Sequence, residues 1–130
     1  MEVTLLGVVA VLRRWAVIGE ASVPVPYTEE ELRSIRKGVA DNLEKTAATL
    51  RQQGITVNIL VSTGNAAEEI LKTADEIKAD MIAMSTHGRS GLRRLAYGSV
   101  TDKVLHGADI PILVVRAPAG TVNQKGNATP

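Results

Sequence analysis

The sequence has no cysteine and no phenylalanine, and its 130 residues include only one tryptophan and two tyrosines. Without cysteine, neither a disulfide framework nor a thiolate nucleophile can form. The scarcity of aromatic rings removes the stacking platforms on which single-stranded nucleic acids usually bind. We therefore expect a protein of a reducing compartment, with the cytoplasm as the default location.

An excess of one charge and long apolar runs are also missing. Fifteen basic and fourteen acidic residues give a net charge of +1, which is too balanced for general nucleic-acid binding. No apolar segment approaches the roughly 20 residues of a membrane span, and residues 1–11 lack the basic start and cleavage site of a secretory signal. We expect a soluble single domain with no membrane partner.

The segment from Ser85 to Ser99 is the most informative part of the sequence. It follows the apolar run at residues 81–84 and contains glycines at Gly88, Gly91 and Gly98. This order predicts a strand, then a glycine-bearing loop that begins at Ser85, then a helix that opens at Gly98 and Ser99. Backbone N–H groups in such a loop and at such a helix start can surround one anion. The segment therefore points to a phosphate-bearing ligand.

Apolar runs and helical patterns alternate before this segment. Residues 3–11 are almost wholly apolar, which is typical of a strand covered on both faces. Residues 12–27 predict a loop that carries Arg13, Arg14 and Trp15. Thr28 then predicts a helix N-cap with Glu31 in the capping-box position, and Gly54 predicts the C-terminal cap.

The alternation continues to the end of the chain. Residues 55–61 have the pattern of a half-exposed edge strand, and a helix is expected over about residues 66–78. The inward positions of that helix are predicted to be Ile70, Leu71, Ala74 and Ile77. Strands over residues 80–84 and 112–115 flank a helix over residues 99–106, in which Val100 and Val104 share one side. Repeated strand–helix–strand units predict an α/β fold with a mostly parallel open sheet and helices on both faces.

These residues resemble the universal stress protein family. Its nucleotide-binding members carry the motif G-x2-G-x9-G-[S/T] after the fourth strand, and Ser85, Gly88, Gly98 and Ser99 occupy the motif positions here. Ser85 departs from the first motif glycine, which weakens the expected contact. The resemblance implies a Rossmann-like, adenine nucleotide alpha-hydrolase-like domain over residues 1–116. Residues 117–130 are rich in Gly, Asn, Thr and Pro without an apolar period, which predicts a disordered tail.

The resemblance also implies a binding set and a partner. ATP, with magnesium as its counter-ion and no dedicated metal site, would place its base near Val8 and its phosphates on the loop and on the helix start. The implied nucleotide-binding residues are Val8, Met84, Ser85, Gly88, Arg89, Gly98, Ser99 and Val100. Family members often dimerise through the last strand, which implies a homodimer through the segment from Ile112 to Val115.

The resemblance further implies that the chain lacks the family's first strand and first helix. In the family that strand lies in the middle of the sheet, and its acidic end contacts the nucleotide. Three explanations are open: a start codon further upstream, a remnant gene, or a partner, such as a complete homologue, that supplies the missing elements. The expected fold is thus N-terminally truncated.

Three functions follow from these expectations. The first is a non-enzymatic stress-response protein that binds an adenine nucleotide and changes its dimer or partner contacts with occupancy. The second is an interaction module that has lost nucleotide binding. The third, slow ATP hydrolysis as in some relatives, has no identifiable general base in this sequence.

Ordinary structural roles compete with several of these assignments. The loop glycines occur freely in loops, and Ser99 suits a plain helix cap. Neither His87 nor His106 has further ligands at a metal-binding spacing. Glu68 and Glu69 suit the solvated first turn of a helix. The cluster of Arg89, Arg93 and Arg94 either holds an anion or keeps a loop soluble.

Overall fold

A computed structural model describes residues 1–10, 14–87 and 98–117. The described residues form six strands and three helices. In chain order these elements are β1 (Glu2–Val9), β2 (Arg14–Ile18), β3 (Ala21–Val25), α1 (Glu29–Gln52), β4 (Thr56–Thr63), α2 (Ala66–Glu76), β5 (Ile82–His87), α3 (Ser99–Gly107) and β6 (Ile112–Ala117). The chain divides into two compact units, Met1–Glu69 and Ile70–Pro130.

The first unit is built on a parallel pair of strands. β1 and β4 pair in a continuous register from Glu2 opposite Thr56 to Val9 opposite Thr63. The helix α1 connects the two strands and packs on both of them. Two parallel strands need such a crossover, because the chain must return to the starting end of the first strand before the second strand begins, and a tight turn cannot do this. The predicted strand–helix–strand unit is confirmed here.

Local signals fix both ends of α1. The Thr28 hydroxyl accepts a hydrogen bond from the Glu31 N–H, and the Glu31 carboxylate accepts one from the Thr28 N–H, so the capping box is complete. At the other end Gly54 has a φ of +84°, a left-handed conformation that glycine adopts without strain. Both predicted caps are confirmed.

Alternation along β4 separates an inner face from an outer face. Val57 is buried and Ile59 and Val61 are half-buried, whereas Asn58 and Leu60 are exposed. This is the predicted half-exposed pattern. The preceding strand β1 is shorter than expected, since it ends at Val9 and the last predicted position, 11, lies outside the described residues.

The loop predicted over residues 12–27 is wrong for residues 14–25. They form an antiparallel hairpin in which β2 pairs with β3 from Arg14 opposite Val25 to Ile18 opposite Ala21. Gly19, at the first position of the two-residue turn, has a φ of +65°, which is typical of a type II′ hairpin turn. Proline in β3 concealed the hairpin in the sequence, although proline is tolerated on an edge strand.

The second unit contains another parallel pair. β5 and β6 pair from Ile82 opposite Ile112 to His87 opposite Ala117, and α3 lies between them in the chain. Ile82 and Val104 are buried in this unit. A second strand–helix–strand unit is therefore confirmed. Val100 and Val104, which were predicted to share one side of the helix, are half-buried and buried respectively.

Two boundaries in this unit differ from the expected ones. β5 begins at Ile82 and continues to His87, so Ser85 lies within the strand and not in the predicted loop. β6 extends to Ala117, one residue into the predicted tail, and the remainder of that tail lies outside the described residues. Backbone pairing between the two strands carries both of them beyond their apolar runs.

The helix α2 is shorter than predicted. It ends at Glu76, and Ile77, which was expected to face inward, is 44% exposed in the turn that follows. Ala67 and Thr73 are the buried positions of α2 instead. Lys78 has a positive φ of 54°, which marks the point where the chain leaves the helix.

We expect substitution of Gly7 to destabilise the first unit. A Cβ at this position would meet the Val39 side chain closer than van der Waals contact allows, and Leu43 Cδ1 at 3.2 Å. Gly7→Ala should therefore lower the free energy of unfolding by about 1–3 kcal/mol, as overpacking of a core does. Urea denaturation at constant m-value measures this change.

Gly38→Ala is the matched control. Gly38 lies in the middle of α1, and a Cβ there would meet no atom within 4 Å in the part of the chain that the structure describes. The same substitution should raise stability by up to about 1 kcal/mol, because alanine favours helix. Equal effects at the two glycines would contradict the close approach of α1 to β1.

Candidate functional site

The start of α3 is the best anion-binding feature among the described residues. Gly98 is the N-cap residue, with an extended backbone (φ −61°, ψ 163°) and no side chain to cap the first turn. By contrast, the Asn65 side chain accepts a hydrogen bond of 3.1 Å from the Glu68 N–H at the start of α2. The N–H groups of Ser99 and Val100 in the first turn of α3 are thus available to an anion.

Space at this helix start suits a ligand. Gly98 and Ser99 are exposed, and a Cβ on Gly98 would meet no atom of the described residues within 4 Å. Thr101 and Val104 are buried on the inner side of the same helix, so the first turn is anchored to the unit. A phosphate would contact N–H groups held in place by the first turn of the helix.

The strand residues of the predicted set lie on β5. Met84 is half-buried and pairs with Val114, whereas Ser85 is exposed and pairs with Val115. Their side chains therefore point to opposite faces of the strand. Gly88 and Arg89, together with Arg93 and Arg94, lie outside the described residues.

Val8 lies in the first unit and lines a cavity there. The cavity has a volume of about 230 Å³ and a mainly apolar wall. It opens where β1 ends and α1 begins. Its lining residues are Val8, Val9, Ala10, Tyr27, Leu32, Ile35 and Val39. An apolar cavity beside the carboxyl end of a parallel strand is a usual place for the apolar part of a ligand.

A charged cluster contacts Tyr27, one of the residues that line this cavity. The Arg14 guanidinium donates two hydrogen bonds to the Glu31 carboxylate, one of them 2.8 Å long, and lies 4.7 Å from the centroid of the Tyr27 ring. It also donates to the Pro26 carbonyl at 3.3 Å. The cluster therefore joins β2 of the hairpin to the first turn of α1 and to Tyr27.

The cluster changes the acidity of Glu31. The hydrogen bonds from Arg14 lower the pKa of the Glu31 carboxyl to about 2, and the hydrogen bond from the Thr28 backbone acts in the same direction. The pKa of Arg14 is raised, chiefly by its hydrogen bond to Glu31. Both groups are therefore ionised over the whole physiological range.

Sequence reasoning placed Glu31 correctly but missed its partner. The capping box identifies Glu31 from local spacing alone. Arg14 reaches it across 17 residues, and that contact exists only because the hairpin returns β2 to the start of α1. The hairpin could have been predicted from the alternation of large apolar residues on both sides of Gly19, at Trp15, Val17, Val23 and Val25.

The remaining sequence candidates occupy ordinary positions. His106 lies in the last turn of α3, where its Nδ1 is 2.8 Å from the Asp102 carbonyl oxygen. Glu68 and Glu69 are the acidic residues of the first turn of α2. Within residues 1–10, 14–87 and 98–117, no three His, Cys, Asp or Glu side chains are grouped as a metal site would require. None of the helices in these ranges combines the length and apolar composition that crossing a membrane requires.

Comparisons with known proteins agree with the predicted fold and with the family resemblance. A model described as Universal stress protein family matches residues 3–116. Universal stress protein MJ0531 of Methanocaldococcus jannaschii is 37% identical over 76 residues, which are 58% of this chain and 45% of that protein. Universal stress protein YxiE of Bacillus subtilis is 29% identical over 111 residues, which are 85% of this chain and 75% of that protein.

A solved structure agrees as well. Universal stress protein MJ0577 of M. jannaschii is 32% identical over 89 residues, which are 68% of this chain and 55% of that protein. Its structure, reported as a structure-based assignment of the biochemical function of a hypothetical protein, matches with a TM-score of 0.66 at 25% identity and covers 90% of this chain and 76% of that one. The α/β fold is thus confirmed.

The matches cover only part of the length of these relatives. The aligned residues span about half the length of the two M. jannaschii proteins. The expectation that the first strand and helix are missing finds no support in these comparisons, and the domain limit at residue 116 stays a prediction.

We expect the Arg14–Glu31 pair to make stability depend on pH in acid. Because the pKa of Glu31 is about 2 in the folded chain and near 4.5 ordinarily, its contribution is present above about pH 4.5 and is lost as the pH falls toward 2. The stability difference between the wild type and Glu31→Gln should therefore shrink over that interval. Urea unfolding at a series of pH values measures it.

Glu30→Gln is the control, since Glu30 is exposed on the same turn and has no ion pair in the described part of the chain. A difference between wild type and Glu31→Gln that stays constant from pH 5 to pH 2 would contradict the assigned pair.

Proposed function

The chain belongs to the universal stress protein family, and from that premise we propose that it binds ATP or a related adenine nucleotide and acts through ligand-dependent contacts with a partner. The observation that carries this proposal is the uncapped, exposed start of α3 at Gly98 and Ser99. Some members of the family bind ATP, and the phosphates are the part of ATP that such a helix start recognises.

The proposed contacts follow the chemistry of each group. The N–H groups of Ser99 and Val100 donate to phosphate oxygens, and the Ser99 hydroxyl donates a further hydrogen bond. Gly98 keeps the approach to the helix start free of side-chain atoms. The contact of Val8 with the base stays a prediction from the family resemblance. Gly88, Arg89, Met84 and Ser85 complete the proposed set, and magnesium would accompany the phosphates as a counter-ion without a protein site of its own.

The proposed partner is a second copy that docks on β6. Leu113 is 49% and Val115 is 51% exposed, and both side chains lie on the same face of the strand because they are two residues apart. Neighbouring Ala83 and Ser85 of β5, which pair with them, are exposed as well. This apolar strip supports a homodimer through the segment from Ile112 to Val115.

We expect Gly98→Ala combined with Ser99→Ala to weaken ATP binding at least about tenfold, because the methyl group at residue 98 obstructs the helix start and one hydroxyl donor is lost. Isothermal titration calorimetry on the full chain measures the affinity. The open space at Gly98 and its ordinary φ mean that the variant should fold like the wild type.

Gly38→Ala, remote from α3 in the chain, serves as the matched control and should leave the affinity unchanged. No heat from a folded wild-type chain would contradict nucleotide binding. It would favour the second function, an interaction module that works through β6 alone.

We expect Leu113→Lys to weaken the proposed dimer. The substitution places a charge in the middle of the apolar strip and opposes a like charge across the twofold axis. Sedimentation velocity at low protein concentration should show a monomer for this variant where the wild type is dimeric. Met81→Lys is the control, since Met81 is 52% exposed and precedes β5 outside this strip. Equal dimerisation of all three chains would contradict the β6 interface.

A further inference from the structure

The hairpin carries an exposed apolar strand that the proposed function does not use. Trp15 is 59%, Val17 is 75% and Ile18 is 68% exposed. No charged residue interrupts β2 between Trp15 and Ile18. In the described part of the chain, β2 pairs with β3 alone. A two-stranded hairpin with this much exposed apolar surface is only marginally stable by itself.

The free edge of β2 presents a regular set of hydrogen-bonding groups. Ile18 and Ala21 flank the two-residue turn, and this flanking pair exchanges hydrogen bonds in a hairpin of this kind. Bonded and non-bonded pairs alternate from there. The N–H and C=O groups of Trp15 and Val17 therefore point away from β3, toward the open side.

The opposite edge of the hairpin is closed to pairing. By the same alternation, Ser22 and Pro24 turn their backbone groups outward from β3. Pro24 has no N–H, so a strand that added there would lose one ladder bond. Pro24 interrupts the edge of β3, whereas among the described residues no proline, charged residue or further strand protects the edge of β2 from Trp15 to Ile18. Of the two edges, that of β2 is the better suited to accept another strand.

We propose that β2 pairs with β2 of a second copy of this chain, antiparallel and about a twofold axis at Ala16. This register places Trp15 opposite Val17 of the second copy, and Val17 opposite its Trp15. Each pair joins outward-facing backbone groups, so the two pairs form four main-chain hydrogen bonds. Each also brings an aromatic ring against a β-branched side chain, a favourable cross-strand combination.

The pattern of β2 is self-complementary, as a twofold interface requires. The three central residues are symmetric about Ala16, with a large apolar side chain on each side of a small one. At the ends of the strand, Arg14, whose guanidinium is paired with Glu31, lies opposite Ile18 of the second copy. No like charges face each other between the two Trp–Val pairs. A second copy therefore pairs with the outward-facing backbone groups of β2, and no other complementary surface is needed.

The size of the strip sets the strength of the contact. Trp15 and Val17 share one face of β2, because they are two residues apart, and together they expose on the order of 250 Å² per chain. A standard stable interface takes about 800 Å² from each partner. The area of these two side chains is about a third of that, so it suits a weak and reversible dimer and is too small for a permanent partner.

Cysteine cross-linking tests this register, because the natural chain has no cysteine. In the proposed pairing the two Ala16 residues form a non-bonded pair with their Cα atoms about 4.5 Å apart, which lies inside the range for a disulfide. The Ala16→Cys chain should therefore form a covalent dimer in a glutathione redox buffer. The test uses the full chain carrying Leu113→Lys as well, so that the β6 contact does not contribute.

Ile18→Cys is the matched control on the same strand. The two residues 18 would lie about 14 Å apart, four residues along the strand at about 3.4 Å each, which a disulfide cannot span. Ile18 is also more exposed than Ala16, so random collision would favour Ile18→Cys. We expect Ala16→Cys to cross-link at least about tenfold faster. Equal rates, a faster Ile18→Cys, or no covalent dimer from either would overturn the proposal.

Sedimentation measurements give a readout that needs no new thiol. The Leu113→Lys chain should still associate weakly at high concentration, and adding Val17→Lys should raise the dissociation constant at least about tenfold, because a charge then faces Trp15 of the second copy. Val17 is exposed, so this variant keeps its fold. Association that persists unchanged with Val17→Lys would overturn the pairing through β2.

Discussion

The packing of α1 on β1 across Gly7 is the contact on which the first unit depends. Two strands alone do not make a stable sheet, so the helix must supply the second layer of the core. Ala47 on the helix and Val57 on β4 are buried in this layer. Because Gly7 has no side chain, Val39 and Leu43 come close to the backbone of β1. A larger residue would lift the helix and with it Val39, which lines the cavity beside Val8.

Local signals made much of this fold predictable. The capping box at Thr28 and Glu31 and the left-handed Gly54 depend on neighbours in the sequence, and both were confirmed. The hairpin was missed because its proline reads as a loop signal, although an edge strand tolerates proline where the N–H would face outward. The extension of β5 through Ser85 was missed for another reason: polar residues do not read as strand, and pairing with β6 overrides their propensity.

The candidate site was likewise predictable from the sequence only in part. The helix start at Gly98 and Ser99 was predictable, since a glycine N-cap and its open N–H groups follow from spacing alone. The cavity wall was not, because Tyr27 is held by Arg14, whose position depends on a hairpin that the sequence did not reveal. Contacts between residues distant in the chain can be predicted only when the topology is known. The motif indicated the general topology of the family and not the hairpin of this chain.

Arg14 connects the two proposed binding features of the first unit. It belongs to β2, yet its guanidinium contacts the Glu31 carboxylate and the Tyr27 ring, and Tyr27 lines the cavity. If β2 pairs with a second copy as proposed, any shift of the strand would be transmitted to the cavity wall through this bidentate ion pair. A ligand in the cavity that preferred one position of Tyr27 would then change the affinity of β2 for its partner. Linkage requires the reverse effect to be equal in free energy, so the two proposals together imply that occupancy and association are coupled.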